Sequence, residues 1–386
     1  MGDSIGQALV TRDEATRLIS RYHDALNAHD VDTLTGFYAE DAVVVSPIFS
    51  TLSGRTAIRE SFGNLFRLAP DYHVQPDPSL FIFEGARAAD INTVTATYSE
   101  HLLGLAPTGH RIEYQIVRLI TFRGAEIVHE QRLYDLAAVL ERLEKVRIDD
   151  ELKVAGDIQR ALLPRTHHRG PYFEAIGASR PSRSIGGDFF EYVDLPSGAF
   201  GFAIGDVSGK GPAAALLASM IQGMFSMDAD LERSPSATLA QMNRALVRRR
   251  IEPRFATLVF GVLAPDGMFD YANAGHLPPL VVRRAGGIER LSTGGPLLGV
   301  FEDVLFPGHR CQLQPGDTVV AFSDGVTEAP GEGDDLFGEE RLLAAADAHR
   351  LSKPAVLVDA LFSAVRSYSG ERAATDDVTI TALQYL

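Results

Sequence analysis

The sequence predicts an α+β protein, with two domains of mixed helix and sheet joined by a helical connector. Three observations lead there. Helical periodicity in residues 11–68 gives way to strand-like alternation up to residue 134, the segregated order of an α+β domain. Residues 136–163 then follow heptad steps with few breakers. From residue 166 onward, short apolar segments are punctuated by Gly, Pro and Asp, and the helices are few and separated. That pattern fits a sandwich of antiparallel strands with flanking helices.

Composition bounds the reading. A chain of 386 residues has room for roughly two to three domains. With 45% hydrophobic and 23% charged residues it has the make-up of a soluble globular protein. A formal charge of −15 argues against a nucleic-acid partner, because phosphate binding needs a basic surface. Cys311 is the single cysteine, so no intrachain disulfide forms and a reducing compartment is expected. No secretory pattern and no apolar run of membrane-spanning length is visible, so no membrane association and a cytoplasmic location are expected.

Residues 1–10 read as a loose terminus. Thr11–Ala28 places Leu18, Ile19, Tyr22, Ala25 and Leu26 on one helical face. A short helix Val31–Tyr38, a short strand Ala42–Val45 and the helix Arg55–Leu68 follow. Strands are expected over Tyr72–Phe83, Ile91–Leu103, Arg111–Phe122 and Glu126–Tyr134. Ile91–Leu103 sets Thr95, Thr97, Ser99 and His101 against Val94, Ala96, Tyr98 and Leu102. His73, Glu113, His129 and Glu130 are further ionisable candidates without an assignable side.

In the connector, Leu136, Leu140 and Leu143 keep one heptad phase and Ile148, Leu152, Ala155 and Leu162 another. The change within EKVRIDD either alters coiled-coil winding or ends one helix and starts the next. Strands over Tyr172–Ala178, Asp188–Leu195, Ala199–Asp206, Phe255–Leu263, Met268–Asn273, Pro279–Arg283, Ile288–Leu291, Val304–Cys311, Thr318–Ser323 and Val378–Leu386 are expected. The intervening helices are Ala213–Met227, Ala237–Arg249, Arg341–His349 and Ala355–Tyr368.

Several of these strands begin or end on an aspartate. Asp188 starts one arm of a hairpin and Asp206 ends the other, Asp324 follows Thr318–Ser323, and Asp376 and Asp377 introduce the last strand. A single aspartate at a strand end is usually a cap or turn residue. Four such ends without His or Cys beside them favour a hard divalent cation, magnesium or manganese rather than zinc.

GGDFFE, IGDVSGKGPAAA, NAGHLPP, SDGVTEA, FGEERL and TDDVTI, in that order, resemble the SpoIIE-type bacterial serine phosphatases, a branch of the metal-dependent type 2C protein phosphatases. The resemblance covers about residues 152–386. It implies a layered α-β-β-α phosphatase sandwich and two Mn2+ or Mg2+ ions. It also implies a phosphorylated protein substrate, an anti-sigma-factor antagonist. FYAEDAVV, SGRTAIRESF, APDYHV, PTGHRIEY and AEIVHEQRLYD resemble a SnoaL-like domain of the nuclear-transport-factor-2-like superfamily, which implies a cone around a small-molecule cavity. ELKVAGDIQRALLP resembles the linker that precedes the catalytic domain in this phosphatase family. The expected division is therefore 11–135, 136–165 and 166–386.

Carried over by position, the resemblance has Asp206 bridging the two metals, with the Val207 carbonyl as a further ligand. Asp324 and Asp376 complete the other metal, and Asp188 acts on the coordination shell. Asp377 is the weaker member of its pair. The Asp-Gly-His-Gly motif of eukaryotic relatives reads Asp206-Val207-Ser208-Gly209 here, so the histidine proposed as proton donor is missing. Glu191 stands where relatives commonly carry aspartate and reads as a surface residue. Arg180 and Arg183 read as solvated loop charges, His167-His168 as a solvated linker pair, and His276 as a structural hydrogen-bonding residue. The loop Glu328–Glu340 is either a flap over the site or a solvated loop. Gly205–Lys210 is one residue short of a P-loop, and Asp317 stands where a cysteine-phosphatase loop starting at Cys311 would need arginine.

The expected function is a phosphoserine or phosphothreonine protein phosphatase. The alternative is a catalytically silent scaffold that binds the phosphoprotein. A homodimer paired through residues 136–163 is expected, together with a small, largely apolar ligand of the N-terminal domain.

Overall fold

The computed structural model describes residues 10–229, 233–250, 254–333, 335–370, 372 and 374–386, in two compact units that divide between Asp150 and Glu151. Of the terminus expected to be loose, residues 1–9 lie outside the described residues, and Val10 is buried. No helix among the described residues is long and apolar enough to cross a membrane.

The first unit opens with α1 (Arg12–Asn27), started by a capping box in which Thr11 and Glu14 satisfy each other's backbone N–H. Its stripe Ala15, Ile19, Tyr22 and Leu26 is buried. Then come α2 (Val31–Gly36), β1 (Tyr38–Ser46), β2 (Ser50–Ser53), α3 (Arg55–Leu68), β3 (His73–Pro76), β4 (Ile82–Glu84), β5 (Arg87–Thr97), β6 (Arg111–Arg123) and β7 (Glu126–Leu133). The sheet runs β2-β1-β7-β6-β5-β3, with β4 also on β5. Only the β1–β7 pair is parallel. The helices pack on the face of β5 that carries Ala88, Val94 and Ala96.

Two expectations fail here for local reasons. Tyr72–Phe83 is not one strand, because Pro76 and Pro78 supply no ladder N–H. The chain instead makes a 3-10 turn at Pro78–Leu80 between β3 and β4. Ile91–Leu103 is displaced as well, since β5 starts at Arg87 and stops at Thr97. There the Asp71 carboxylate accepts the Thr97 N–H at 2.6 Å and its hydroxyl at 2.8 Å. Ser99 and His101 therefore lie beyond the strand.

The helix α4 (Leu136–Leu162) is continuous, about 40 Å long at 1.5 Å per residue. The heptad phase change does not end it. EKVRIDD contains no Gly or Pro, and Arg147 pairs with Glu144 one turn back. Val139 and Leu143 are buried in the first unit's core. Ile148, Val154, Ile158 and Leu162 are exposed.

The second unit comprises β8 (His167–Arg169), β9 (Phe173–Arg180), β10 (Phe189–Asp194), β11 (Phe200–Val207), α5 (Pro212–Ala229), α6 (Pro235–Arg249), β12 (Ala256–Leu263), β13 (Met268–Ala274), β14 (Leu280–Val282), β15 (Ile288–Arg290), β16 (Gly308–Gln312), β17 (Thr318–Phe322), α7 (Asp324–Thr327), α8 (Gly338–Ala348), α9 (Pro354–Ser369) and β18 (Val378–Tyr385). Two sheets form, β10-β11-β12-β13-β16 and β15-β14-β17-β18-β9-β8. Three cores separate four layers. Phe202, Ile204, Tyr271, Val319 and Leu383 fill the space between the sheets. Ala203, Ile221, Met242 and Phe260 pack α5 and α6 on one outer face. Val320, Leu342, Leu361 and Ile380 pack α8 and α9 on the other. This is the α-β-β-α order. It explains why β11 is apolar from Phe200 to Gly205, ahead of Asp206: both of its faces are covered. The strand expected from Val304 starts only at Gly308, after Pro307.

Candidate active site

The hairpin β10–β11 pairs Phe189 with Gly205. That register places Asp188 just before one strand and Asp206 near the end of the other. A side chain at Gly205 would run into the Phe189 ring, its Cβ 2.5 Å away. In the other sheet β17 pairs with β18, Phe322 opposite Ile380, so Asp324 and the Asp376-Asp377 pair leave from adjacent strand ends. Asp377 joins the two sheets. Its Oδ2 accepts the Gly187 N–H at 2.7 Å, and its Oδ1 accepts the Ser182 N–H at 2.7 Å.

Carboxylates from both sheet edges thus approach one another, Asp188 buried and Asp206, Asp324 and Asp376 half-buried. Burial, and then the charge of Asp206, pushes the Asp188 carboxyl well above its ordinary range, against the pull of the Ser323 and Thr379 hydroxyls. Asp188 Oδ2 is buried without a hydrogen-bond partner. Asp206 is raised to about 7 by burial, followed by Asp324, Asp376 and Asp377. Asp324 is raised by burial, then by Asp376 and Glu328. Lys210 Nζ lies 2.9 Å from Asp376 Oδ2 and also contacts the Thr375 carbonyl.

The model of the family described as Stage II sporulation protein E (SpoIIE) matches residues 196–386, and that of the SnoaL-like domain matches residues 19–130. The second unit carries a SpoIIE domain. Phosphoserine phosphatase RsbU of Bacillus subtilis (strain 168) is 34% identical over 192 residues, 48% of this chain and 56% of that protein. Protein IcfG of Synechocystis sp. is 25% identical over 261 residues, 60% of this chain and 41% of that one. The chain therefore spans about half the length of these relatives. The SiaA-PP2C domain of Pseudomonas aeruginosa superposes with a TM-score of 0.55 at 21% identity, over 65% of this chain and 100% of that one, a likeness of fold.

In this SpoIIE domain the donor set suits a hard divalent cation. All the side-chain donors are carboxylate oxygens, one of them orphaned and buried. A Cβ on Gly187 would sit 2.7 Å from the Val207 carbonyl oxygen and 3.5 Å from Asp206 Oδ1, so glycine keeps a small space beside those two oxygens open. Among the described residues no group of three or more His, Cys, Asp or Glu side chains is already arranged to hold a metal ion. The fit thus rests on chemistry and electrostatics, not on preset ligand distances. Asp188, Asp206, Asp324 and Asp376 with the Val207 carbonyl would hold the ions. Asp377 is spent on backbone N–H groups.

Other expectations take definite form. Glu191 is not a surface residue: it is half-buried, accepts from Gln222 Nε2 at 2.8 Å, and is raised by burial. His276 is structural. Its Nε2–H donates to the Phe322 carbonyl at 3.1 Å and its Nδ1 accepts from Thr257 Oγ1 at 2.8 Å, and burial lowers its pKa to about 4. His167 and His168 lie on β8, not in a solvated linker, and meet Glu174 and Asp194, each at 3.0 Å. The Arg180 guanidinium lies over the Phe362 ring at 4.3 Å, whereas Arg183 is exposed. Cys311 is buried. Asp334, in the loop read as flap or solvated loop, lies outside the described residues. Lys210, in the Gly209-Lys210-Gly211 run that fails as a P-loop, is a further residue of the site.

The SnoaL-like domain holds a second constellation. Arg118 Nε donates to Asp90 Oδ2 at 3.0 Å, and His23 Nε2 lies 3.1 Å from the same oxygen. Against the upward push of burial, Arg118 and His23 hold Asp90 well below the usual carboxylate range. Glu130, fully buried, accepts from Arg132 at 2.8 Å and from the Tyr38 hydroxyl. His73, Glu113 and His129 are exposed. The sequence does hold a signal for Asp90: it shares the alternation of Ala88, Val94 and Ala96 once the strand is started at Arg87.

Proposed function

We propose that the second unit is a phosphoserine/phosphothreonine protein phosphatase working with two Mn2+ or Mg2+ ions. One observation carries this reading. Asp188 is buried and Asp206 and Asp324 are half-buried. The charge of Asp206 raises Asp188 while those of Asp324 and Asp376 raise Asp206, an arrangement that costs stability unless cations relieve it. Such ions clamp a phosphate and lower the pKa of a bound water. The chain's part is to hold these carboxylates at two sheet edges. Asp206 is placed between the other acids, Asp377 pins the loop bearing Asp188, and the Val207 carbonyl offers an uncharged oxygen. The decisive measurement is Mn2+-dependent release of phosphate from a phosphoserine protein by the wild type and Asp206→Asn. Equal rates would remove these residues from the chemistry, and no rate in either would favour the silent scaffold.

The substrate class proposed, from the SpoIIE resemblance, is an anti-sigma-factor antagonist phosphorylated on serine. The exposed apolar residues Ile148, Val154, Ile158 and Leu162 on α4 support a homodimer paired through this helix. Sedimentation of the full chain tests it: Ile158→Glu with Leu162→Glu should shift a dimer to monomer. The SnoaL-like domain is proposed to bind a small ligand that alters phosphatase rate. One of its pockets, of about 250 Å³, is lined by Ile19, Pro76 and Phe81 together with Arg12, Thr16, His23 and Asp90, which suits a ligand that carries polar groups beside an apolar part.

A further inference from the structure

In a chain of net charge −15, one pocket is rimmed by arginine. Arg180 at the end of β9, Arg366 on α9 and Arg372 line a pocket of about 180 Å³ whose floor includes Phe362 and Val365 and whose wall includes Asp376. All three arginines are exposed. Among the described residues none of them makes an ion pair, whereas Arg283, Arg290 and Arg310 of the same unit each meet a carboxylate. The volume is below that of sites for drug-sized molecules, about 300–1,000 Å³. It suits a single side chain. Arg180 also covers Phe362, so the apolar floor and the positive rim form one feature.

We propose that this pocket selects the protein substrate by the residues beside its phosphoserine. An apolar side chain enters beside Pro181 and Pro330, which line the pocket and are half-buried, and an adjacent carboxylate meets Arg180 and Arg366. The inference rests on the phosphatase reading, because Asp376 belongs both to the pocket wall and to the candidate metal site. A segment seated in the pocket would therefore be contiguous with a phosphate clamped by the ions that those carboxylates would hold. Unpaired cations beside a cluster of acids supply the charge complementarity that draws an acidic segment here and turns a basic one away.

The test uses the full chain with Mn2+, p-nitrophenyl phosphate, and two phosphoserine peptides that differ only in a flanking Glu-Leu or Lys-Leu pair. Turnover and anisotropy of labelled peptide are both followed. The wild type should prefer the Glu-Leu peptide about tenfold in kcat/KM, the factor expected of one charge-assisted contact. Arg180→Glu with Arg366→Glu should reverse that preference, and the milder Arg366→Gln should reduce it. An unchanged preference in folded variants that still hydrolyse the aryl phosphate would overturn the pocket assignment. If no phosphate is released from any compound, the phosphatase reading falls, and the anisotropy preference, reversed or not by charge reversal, still decides the pocket.

Discussion

Asp377 and Gly187, separated by 190 residues, meet through a 2.7 Å hydrogen bond from the glycine N–H to Oδ2. Oδ1 of the same carboxylate takes the Ser182 N–H at 2.7 Å and the Ser182 hydroxyl at 3.0 Å. Its neighbour Asp376 faces Lys210 instead. Two adjacent aspartates therefore do different work, one holding the loop in front of Asp188 and the other standing in the candidate site.

Asp377→Ala should therefore lower stability by about 3 kcal/mol, since it strands buried donors. Asp376→Ala should cost under about 1 kcal/mol, because its ion pair is about one-third exposed, yet it should weaken Mn2+ binding. Urea unfolding and calorimetric Mn2+ titration of the two variants separate the roles. Equal destabilisation by both would refute the division.

Mn2+ binding should release protons. With Asp206 raised to about 7, about half of that carboxyl is protonated at neutral pH, and a cation must expel the proton. Calorimetry in buffers of different ionisation enthalpy should show net release near pH 6.5 and little by pH 8.5, with affinity rising between. Asp206→Asn should weaken Mn2+ binding and reduce the proton release, with the remainder coming from Asp188 and Asp324, which burial also raises.

His276 gives the fold a pH dependence of its own. Burial lowers its pKa to about 4, below the ordinary value of about 6.5. On acidification the unfolded chain takes up a proton before the folded one does. The stabilisation is therefore complete above about pH 6.5 and is lost as pH falls toward about 4, by about 3 kcal/mol in all. Denaturation midpoints of wild type and His276→Asn, compared from pH 7 to 4.5, should converge at the acid end. Parallel curves would show that His276 does not titrate in this window.

In the first unit, Arg118→Met would leave Asp90 buried with its main counter-charge gone, at a cost of about 3–5 kcal/mol. Adding Asp90→Asn should recover part of that loss. Thermal unfolding of the full chain should show the change in the transition of the SnoaL-like unit. A double variant whose loss equals the sum of the singles would mean that the pair is not coupled.

The sequence alone marked the second unit as a sandwich of strands with flanking helices and showed where its acidic strand ends fall, whereas its α-β-β-α layer order was implied by the family resemblance. A run of apolar residues too short for a helix marks a buried strand, and one that stops at Asp-Gly writes its end into the chain. Helix starts were equally local, as Thr11 with Glu14 shows. Tertiary structure decided whatever depends on partners distant in sequence. Asp376 and Asp377 are chemically the same, and only the approach of Gly187 and Lys210 separates them. His23, Asp90 and Arg118 come from a helix and two strands and leave no spacing to read. The phase change in α4 could not be resolved from heptads, because whether a helix continues depends on which apolar residues find cover. Val139 and Leu143 find it in the first unit's core, and Ile158 and Leu162 do not.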